Sequence, residues 1–358
     1  MNAFRAWVSV CVLVVGALAM TAHAQWSVVT LHPAGAVGHS QARGVDGGQQ
    51  VGYANVGGDY RASLWSGTAA SWVNLNPAGS TVSQAYAVGG GQQVGHASVG
   101  GVIRASLWSG SAASWVDLSP AMATYSYAAG VGAGQQVGYA VVGPFAHASL
   151  WSGTAASWVD LNPAGAGWST ASGADGVQQV GTVDLGFLDF RASLWSGTAA
   201  SWVNLHPAGA TDSDAIAVQG GQQVGDATVG GVPHASLWSG TAASWVDLNP
   251  AGAGYSYALG VHGGEQVGYA EVGMERASLW SGTAASWVDL HAFLPAEFAS
   301  SRAHGIWHDG AFTYVVGYGH NWMSGGRDEA LMWVLPEPAS GLTLAAGLAA
   351  FALLRRRR

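Results

Sequence analysis

The chain has 358 residues, a formal net charge of −8, no lysine among its 12 basic side chains, one cysteine, 54 glycines and 18 tryptophans. Such an acidic, lysine-free chain disfavours nucleic acid, whose phosphates require basic neutralisation. The one cysteine, Cys11, lies in the N-terminal segment, which leaves the rest of the chain without disulfides, thiolate metal ligands or thiol catalysis.

Residues 1–24 carry Arg5, an apolar run from Val8 to Met20 and the small-residue site Ala22-His23-Ala24. That order is the pattern of a secretory signal peptide cut between Ala24 and Gln25. From residue 25 to 334 one set of phrases recurs. A phrase ending in Leu-Trp closes on Trp65, Trp108, Trp151, Trp195, Trp238, Trp280 and, in weaker form, Trp333, at steps of 43, 43, 44, 43, 42 and 53 residues. A second phrase, typified by SWVNLNPAG, follows each of the first six and also stands alone before them all, as VVTLHPAG around Leu31. A third places Val51, Val94, Val137, Val180, Val224 and Val267 before the glycine of QVG, with Val316-Gly317 as a degenerate seventh copy. A period of this length marks an array of one supersecondary unit, and complementary half-units at the two ends mark a ring.

In the unit from Gln84 to Pro120, QAYAV, QVGHASV, IRASLW and WVDL read as four short strands separated by turns rich in Gly, Ser and Ala. The fold class is therefore all-β: a seven-bladed propeller of four-stranded antiparallel blades, its last blade closed by the N-terminal strand through Val28 to Leu31 against strands from about Ser301 to Trp333. Alternation places Trp65 opposite Trp72 on one face of a blade and Leu64, Val73, Ala62 and Leu75 on the other, so that stacking blades buries an aromatic face on an aliphatic one. On the same alternation Arg61, Arg104, Arg191, Arg276, His147 and His234 share the tryptophan face and lie diagonal to Asn74, Asp117, Asn204, Asp289, Asp160 and Asp247, as polar pairs at a blade rim.

Residues 335–358 begin with Leu335-Pro336-Glu337-Pro338, continue as an uncharged apolar stretch to Leu354 and end on Arg355 to Arg358. About 16 residues at about 1.5 Å each reach about 24 Å, a short membrane helix with a basic, cytoplasmic stop. With both end segments set aside, seven arginines face 19 acids, a balance near −12.

Two resemblances follow from these phrases. The tail, with Pro336, Glu337 and Pro338, the short apolar helix and the arginine cluster in that order, resembles the PEP-CTERM sorting signal of Gram-negative secreted proteins. The resemblance implies an exosortase-type processing protease as partner, transient anchoring in the inner membrane through the C-terminal helix, and release to the cell surface or extracellular matrix. Over most of residues 26 to 333 the QVGY or QVGH phrase followed by RASLW or HASLW resembles the HAF-type extracellular repeat, with Ser where that repeat often has Phe before Leu-Trp. That repeat defines no active site.

No GxSxG, HExxH, Walker or dinucleotide motif occurs, so no catalytic residue, no metal site and no cofactor are assigned. The turns GTAAS and GGQQ barely change between copies, whereas the connections after QVG and after NPAG vary. In a propeller the two variable connections emerge on one face. Tyr125, Trp168 and Tyr255, each seven residues after a repeat leucine, are the candidate binding residues there, with Phe187 and Phe190 nearby, and rings of this kind stack on sugars or pack over their own blade. His304, His308 and His320 in the irregular last unit are spaced wrongly for one metal on a strand. The expected function is a secreted, exosortase-sorted surface or matrix protein acting as a non-catalytic binding or structural module toward exopolysaccharide. The alternative is a polysaccharide hydrolase or lyase, for which two close acids, one of raised pKa, in a cleft of the variable face would speak.

Overall fold

Each repeat folds as its alternation predicts, into strands such as Ser40–Asp46, Gln49–Val56, Asp59–Trp65 and Val73–Asn74 for the first unit. The computed structural model describes residues 25–337. In it seven such four-stranded antiparallel sheets stand as blades around a central channel. The first strand of every unit is innermost: Ser40–Asp46, Ser80–Gly89, Ala123–Gly132, Trp168–Ala174, Ala210–Gln219, Ser256–His262 and Phe298–His308. The expected signal peptide and the tail from Pro338 onward lie outside the described residues. Among the described residues no helix is long and apolar enough to cross a membrane.

The ring closes between the chain ends. Ser27–Thr30 pairs antiparallel with Arg327–Pro336, Val28 opposite Trp333, so the N-terminal strand is the outer strand of blade 7. The third strand of that blade runs through Pro336, which stands opposite Phe312, and the Glu337 N–H donates to the Ala311 carbonyl at 2.8 Å. Two of the three residues of the Pro-Glu-Pro triplet thus lie against blade 7.

Stacking follows the two-faced pattern. Trp108 and Trp115 of blade 2 pack with Val51, Ala62, Leu64 and Leu75 of blade 1, and Trp65 and Trp72 of blade 1 with Leu31, Val316, Ala330 and Met332 of blade 7. The inner ring of each pair is fully buried, while the outer one donates its indole N–H to a serine of its own third strand, as Trp72 does to Ser63 Oγ at 2.8 Å. Local details depart from the expected strands. The GTAAS turn is a one-turn 3-10 helix, Ala69–Ser71, and the fourth strand keeps only two residues, with Val73 38% exposed at the rim. A short outer strand leaves little unpaired edge for a second chain to join.

The glycine of QVG has a geometric cause. The innermost strand bulges between Ala42 and Gly44, and a Cβ on Gly52 would stand 1.9 Å from the Gln41 carbonyl oxygen. The same clash, 1.9 Å, awaits Gly138 against Tyr127. Gly138→Ala is therefore expected to destabilise the fold by about 2–4 kcal/mol in denaturant titrations. Leu31, fully buried between blades 7 and 1, carries the closing strand into the core. Leu31→Ala should cost about 2–5 kcal/mol, and deleting residues 25–34 should lower the melting temperature far more; an unchanged melting temperature for the deletion would refute closure of the ring by this strand.

Candidate functional site

The variable connections do share a face. Inner-to-second and third-to-fourth turns fall at one end of each blade, and the second-to-third turns and inter-blade connections at the other. Exposed aromatics gather at the variable end: Tyr125, Phe145, Phe187, Phe293 and Trp322 are all there, and Phe312 alone is at the constant end. Phe187 and Leu188 stand at the tip of the blade 4 hairpin with φ of 61° and 65°, fully exposed in the case of Phe187. Left-handed backbone at two bulky residues is costly, and both side chains of the tip are exposed.

Tyr125, Trp168 and Tyr255 occupy the entry of the inner strands of blades 3, 4 and 6, on this face. Each packs on its own blade. Tyr125 stands edge-on to Tyr127 and Tyr139, themselves stacked at 5.0 Å; Tyr255 repeats the arrangement on Tyr257 and Tyr269; Trp168 meets Phe190 edge-on at 5.8 Å. Tyr125 keeps 42% of its surface exposed, and the Tyr255 hydroxyl donates to Glu275. No ring contact joins the three among the described residues.

The rim pairs form as the alternation requires, with one refinement. Arg104–Asp117, His147–Asp160, His234–Asp247 and Arg276–Asp289 bond at 2.8–3.0 Å. Where the partner position is Asn74 or Asn204, Arg61 and Arg191 turn instead to Asp59 and Asp189 two residues upstream. These pairs hold a rim; they do not converge on a site. The three histidines also separate. His320 bonds Asp328 at 3.0 Å, His308 lies at the far end of its strand by Thr313, and His304 stacks on Tyr318 at 5.6 Å in the channel wall.

Sequence reasoning missed a belt one strand further in. The residue directly after QVG is Tyr53, His96, Tyr139, Thr182, Asp226, Tyr269 or Tyr318, opposite Gln41, Gln84, Tyr127, Thr170, Asp214, Tyr257 or Arg302 of the inner strand. Its signal was present: this position varies directly after the constant Val-Gly of the repeat. The belt crosses the seams between blades 2 and 3, 4 and 5, and 6 and 7. His96 bonds the Tyr86 hydroxyl at 3.0 Å and packs on Tyr127 at 4.8 Å, Thr182 donates to Asp214, and Arg302 lies 4.3 Å over the Tyr269 ring while bonding Glu275 at 2.7 Å.

Burial sets the protonation of this belt. Asp226, 7% exposed, faces Asp214 across the sheet; burial first, then the charges of Asp214 and Asp212, push its pKa up to about 8. Burial raises Asp214 as well, and Asp226 keeps its proton at neutral pH. Burial pulls His96 down to about 4, leaving it neutral.

Inside the belt runs a channel of about 350 Å³. At its middle, equivalent positions of the seven inner strands supply Arg43, Tyr86 and His304 from the adjacent blades 1, 2 and 7, and Ala129, Ser172, Ile216 and Leu259 from the other four. Among the described residues no group of three or more His, Asp or Glu is placed to hold a metal ion.

No family model matches the chain, and no curated protein is similar to it in sequence. In shape it is similar to a prolyl endopeptidase (12% identity, TM-score 0.55, 84% of this chain and 50% of that one) and to a puromycin-hydrolysing peptidase from Mycobacterium tuberculosis (13%, 0.55, 86% and 55%). It is also similar to an oligogalacturonate lyase in complex with manganese (9%, 0.52, 88% and 98%). The chain spans about half the length of the two peptidases and nearly all of the lyase. At these identities the likeness is one of fold: the protein is a seven-bladed β-propeller.

The acid pair gives a pH prediction. An aspartate whose folded pKa exceeds its unfolded 3.8 contributes most below that value, and its contribution is lost as pH rises to about 8. His96 acts oppositely between about 4 and 6.5, so above 6.5 the Asp226 slope stands alone of the two. With Asp214 and Asp212 on the neighbouring strand and Tyr257 on the next blade as its titrating neighbours, Asp226→Asn should flatten the fall in melting temperature between pH 6.5 and 8 and raise it at pH 9. Parallel melting curves for wild type and variant would refute the buried proton on Asp226.

Proposed function

We propose that the protein is a non-catalytic extracellular binding module that meets exopolysaccharide with the variable face of its propeller. The observation that carries this reading is the gathering of exposed aromatic rings on that face, above a scaffold whose own stability uses a separate, buried set of tryptophans. Sugar rings stack on such surfaces through their apolar C–H faces, and a shallow site suits a long polymer. The leader at residues 1–24 and the tail at 335–358 support export, anchoring by the C-terminal helix, exosortase-type processing at Pro336 to Pro338 and delivery to the surface or matrix.

A second reading, a polysaccharide hydrolase or lyase, is favoured by one observation, the Asp214–Asp226 pair with its raised pKa. Against it, Asp226 is buried and neither acid lines the channel, so a glycosidic oxygen has no path to the Asp226 proton. The binding reading stands first.

Replacing Tyr125, Trp168 and Tyr255 together with Ala should weaken binding to the producing cell's matrix polymer by about 1 kcal/mol per stacked ring. The melting temperature should change little, since none belongs to an inter-blade tryptophan pair. Affinity electrophoresis and thermal melts check both. Unchanged affinity with lost stability would make the rings packing elements, and polymer turnover abolished by Asp226→Asn would instead establish the enzyme.

A further inference from the structure

Six of the seven described arginines pair with a carboxylate: Arg61, Arg104, Arg191, Arg276, Arg302 and Arg327. Arg43 does not. It stands in the channel wall, its Nη2 donates to Gln41 Oε1 at 2.6 Å, and Gln41 in turn donates to Asp328, so the Asp328 carboxylate reaches it through a neutral amide. Its Nε is buried with no hydrogen-bond partner among the described residues, and so is the Nε2 of His304 from the neighbouring blade. A buried donor left unpaired costs about 1–3 kcal/mol, and more for a charged group.

The rest of the wall makes the cluster one-sided. Arg43, Tyr86 and His304 come from three consecutive blades, while the four other blades give the same level of the channel small or aliphatic residues. His304, enclosed beside Arg43 and Arg302, is held far below its ordinary pKa and is neutral, and the Tyr86 hydroxyl keeps its proton because burial raises its pKa. The cluster therefore offers one positive charge beside two neutral side chains, the Tyr86 hydroxyl being already bonded to Gln84 and His96. One charge matches a carboxylate, and the planar guanidinium matches its two oxygens. A dianionic phosphate would leave a charge unpaired in the wall.

We propose that the central channel is a binding site for a small carboxylate-bearing ligand, such as a single sugar-acid residue, seated on Arg43 with Tyr86 and His304 beside the carboxylate and the ligand's ring against the aliphatic wall. The volume lies at the lower end of small-ligand pockets, about 300–1,000 Å³. The inference deepens the reading of an exopolysaccharide-binding module by giving its ligand a charge, and rests on that reading only for the word sugar.

Isothermal titration calorimetry on the purified protein with glucuronate, glucose and inorganic phosphate tests it. Glucuronate should bind, glucose and phosphate should not, and Arg43→Met should weaken glucuronate by about tenfold or more. His304→Gln should weaken it by about three- to tenfold. It decides the matter should Arg43→Met fail to fold. Equal binding of glucose, preference for phosphate, or wild-type glucuronate affinity in the folded variants would overturn the proposal. Matrix-polymer binding that is lost on replacing Tyr125, Trp168 and Tyr255 but untouched by Arg43→Met, with no glucuronate heat, would overturn the channel site and leave the proposed function standing.

Discussion

Everything in this molecule depends on one contact repeated seven times, the seating of one blade on the next. Burying an indole removes roughly 150–250 Å² from water, worth about 4–6 kcal/mol per ring as an upper bound. Apolar burial is not directional, so it does not by itself fix how two blades meet. Direction comes from a buried serine. Ser83 Oγ of blade 2 accepts the Ala62 N–H of blade 1 at 3.0 Å, and Ser126, Ser169, Ser213, Ser256 and Ser301 do the same for Ala105, Ala148, Ala192, Ala235 and Ala277. The seventh bond, Ala330 N–H to Ser40 at 3.0 Å, joins the two ends of the chain. Each serine is oriented by the residue after the repeat leucine: Asn76, Ser119, Asn162, His206, Asn249, His291 and His32. The three side-chain types at that position are three ways of meeting one hydroxyl.

That contact divides the chain into what is fixed and what is free. The tryptophan, the serine, the QVG glycine and the constant turns all serve the seam between blades, so they cannot vary without cost. The residue after QVG lies on the seam's inner edge, where neighbouring blades meet around the channel, and needs only to agree with the residue it touches. Tyr on Tyr, His on Tyr, Thr on Asp and Arg on Tyr each satisfy it. A symmetric scaffold thereby carries an asymmetric interior, with protonated acid at blade 5 and one unpaired cation, Arg43, in the channel wall at blade 1.

The architecture was legible because its cause is periodic. Seven copies of each phrase and complementary halves at the ends lead directly to the blade count and to the closing strand, and the seven-residue tryptophan spacing leads to two-faced blades. The 3-10 turn and the two-residue outer strand were not legible, since the AAS turn and the strand after it look alike in a pattern read for strands. The candidate site was only half legible. The variable face follows from topology, and Tyr125, Trp168 and Tyr255 fall on it, but their packing on Tyr139, Phe190 and Tyr269 is a contact between separate strands that sequence spacing does not encode. Arg43 was hidden for a sharper reason: it stands on a bulge, where the alternation that assigns every other residue to a face skips a step.

The bulge is also what gives the channel its chemistry. In an unbroken strand the side chain after Ala42 would enter a seam between blades, where an unpaired guanidinium is excluded by its desolvation. The extra residue breaks the register between Ala42 and Gly44 and turns that side chain into the lumen, and every inner strand repeats it, between Ala85 and Ala87, Ala128 and Gly130, Ala171 and Gly173, Ala215 and Ala217, Ala258 and Gly260, and Ala303 and Gly305. Seven bulges thus build a ring of seven side chains released from the demands of the seam. The QVG glycine is the partner that makes room for each of them, so the most constant residue of the repeat exists to support its most variable one.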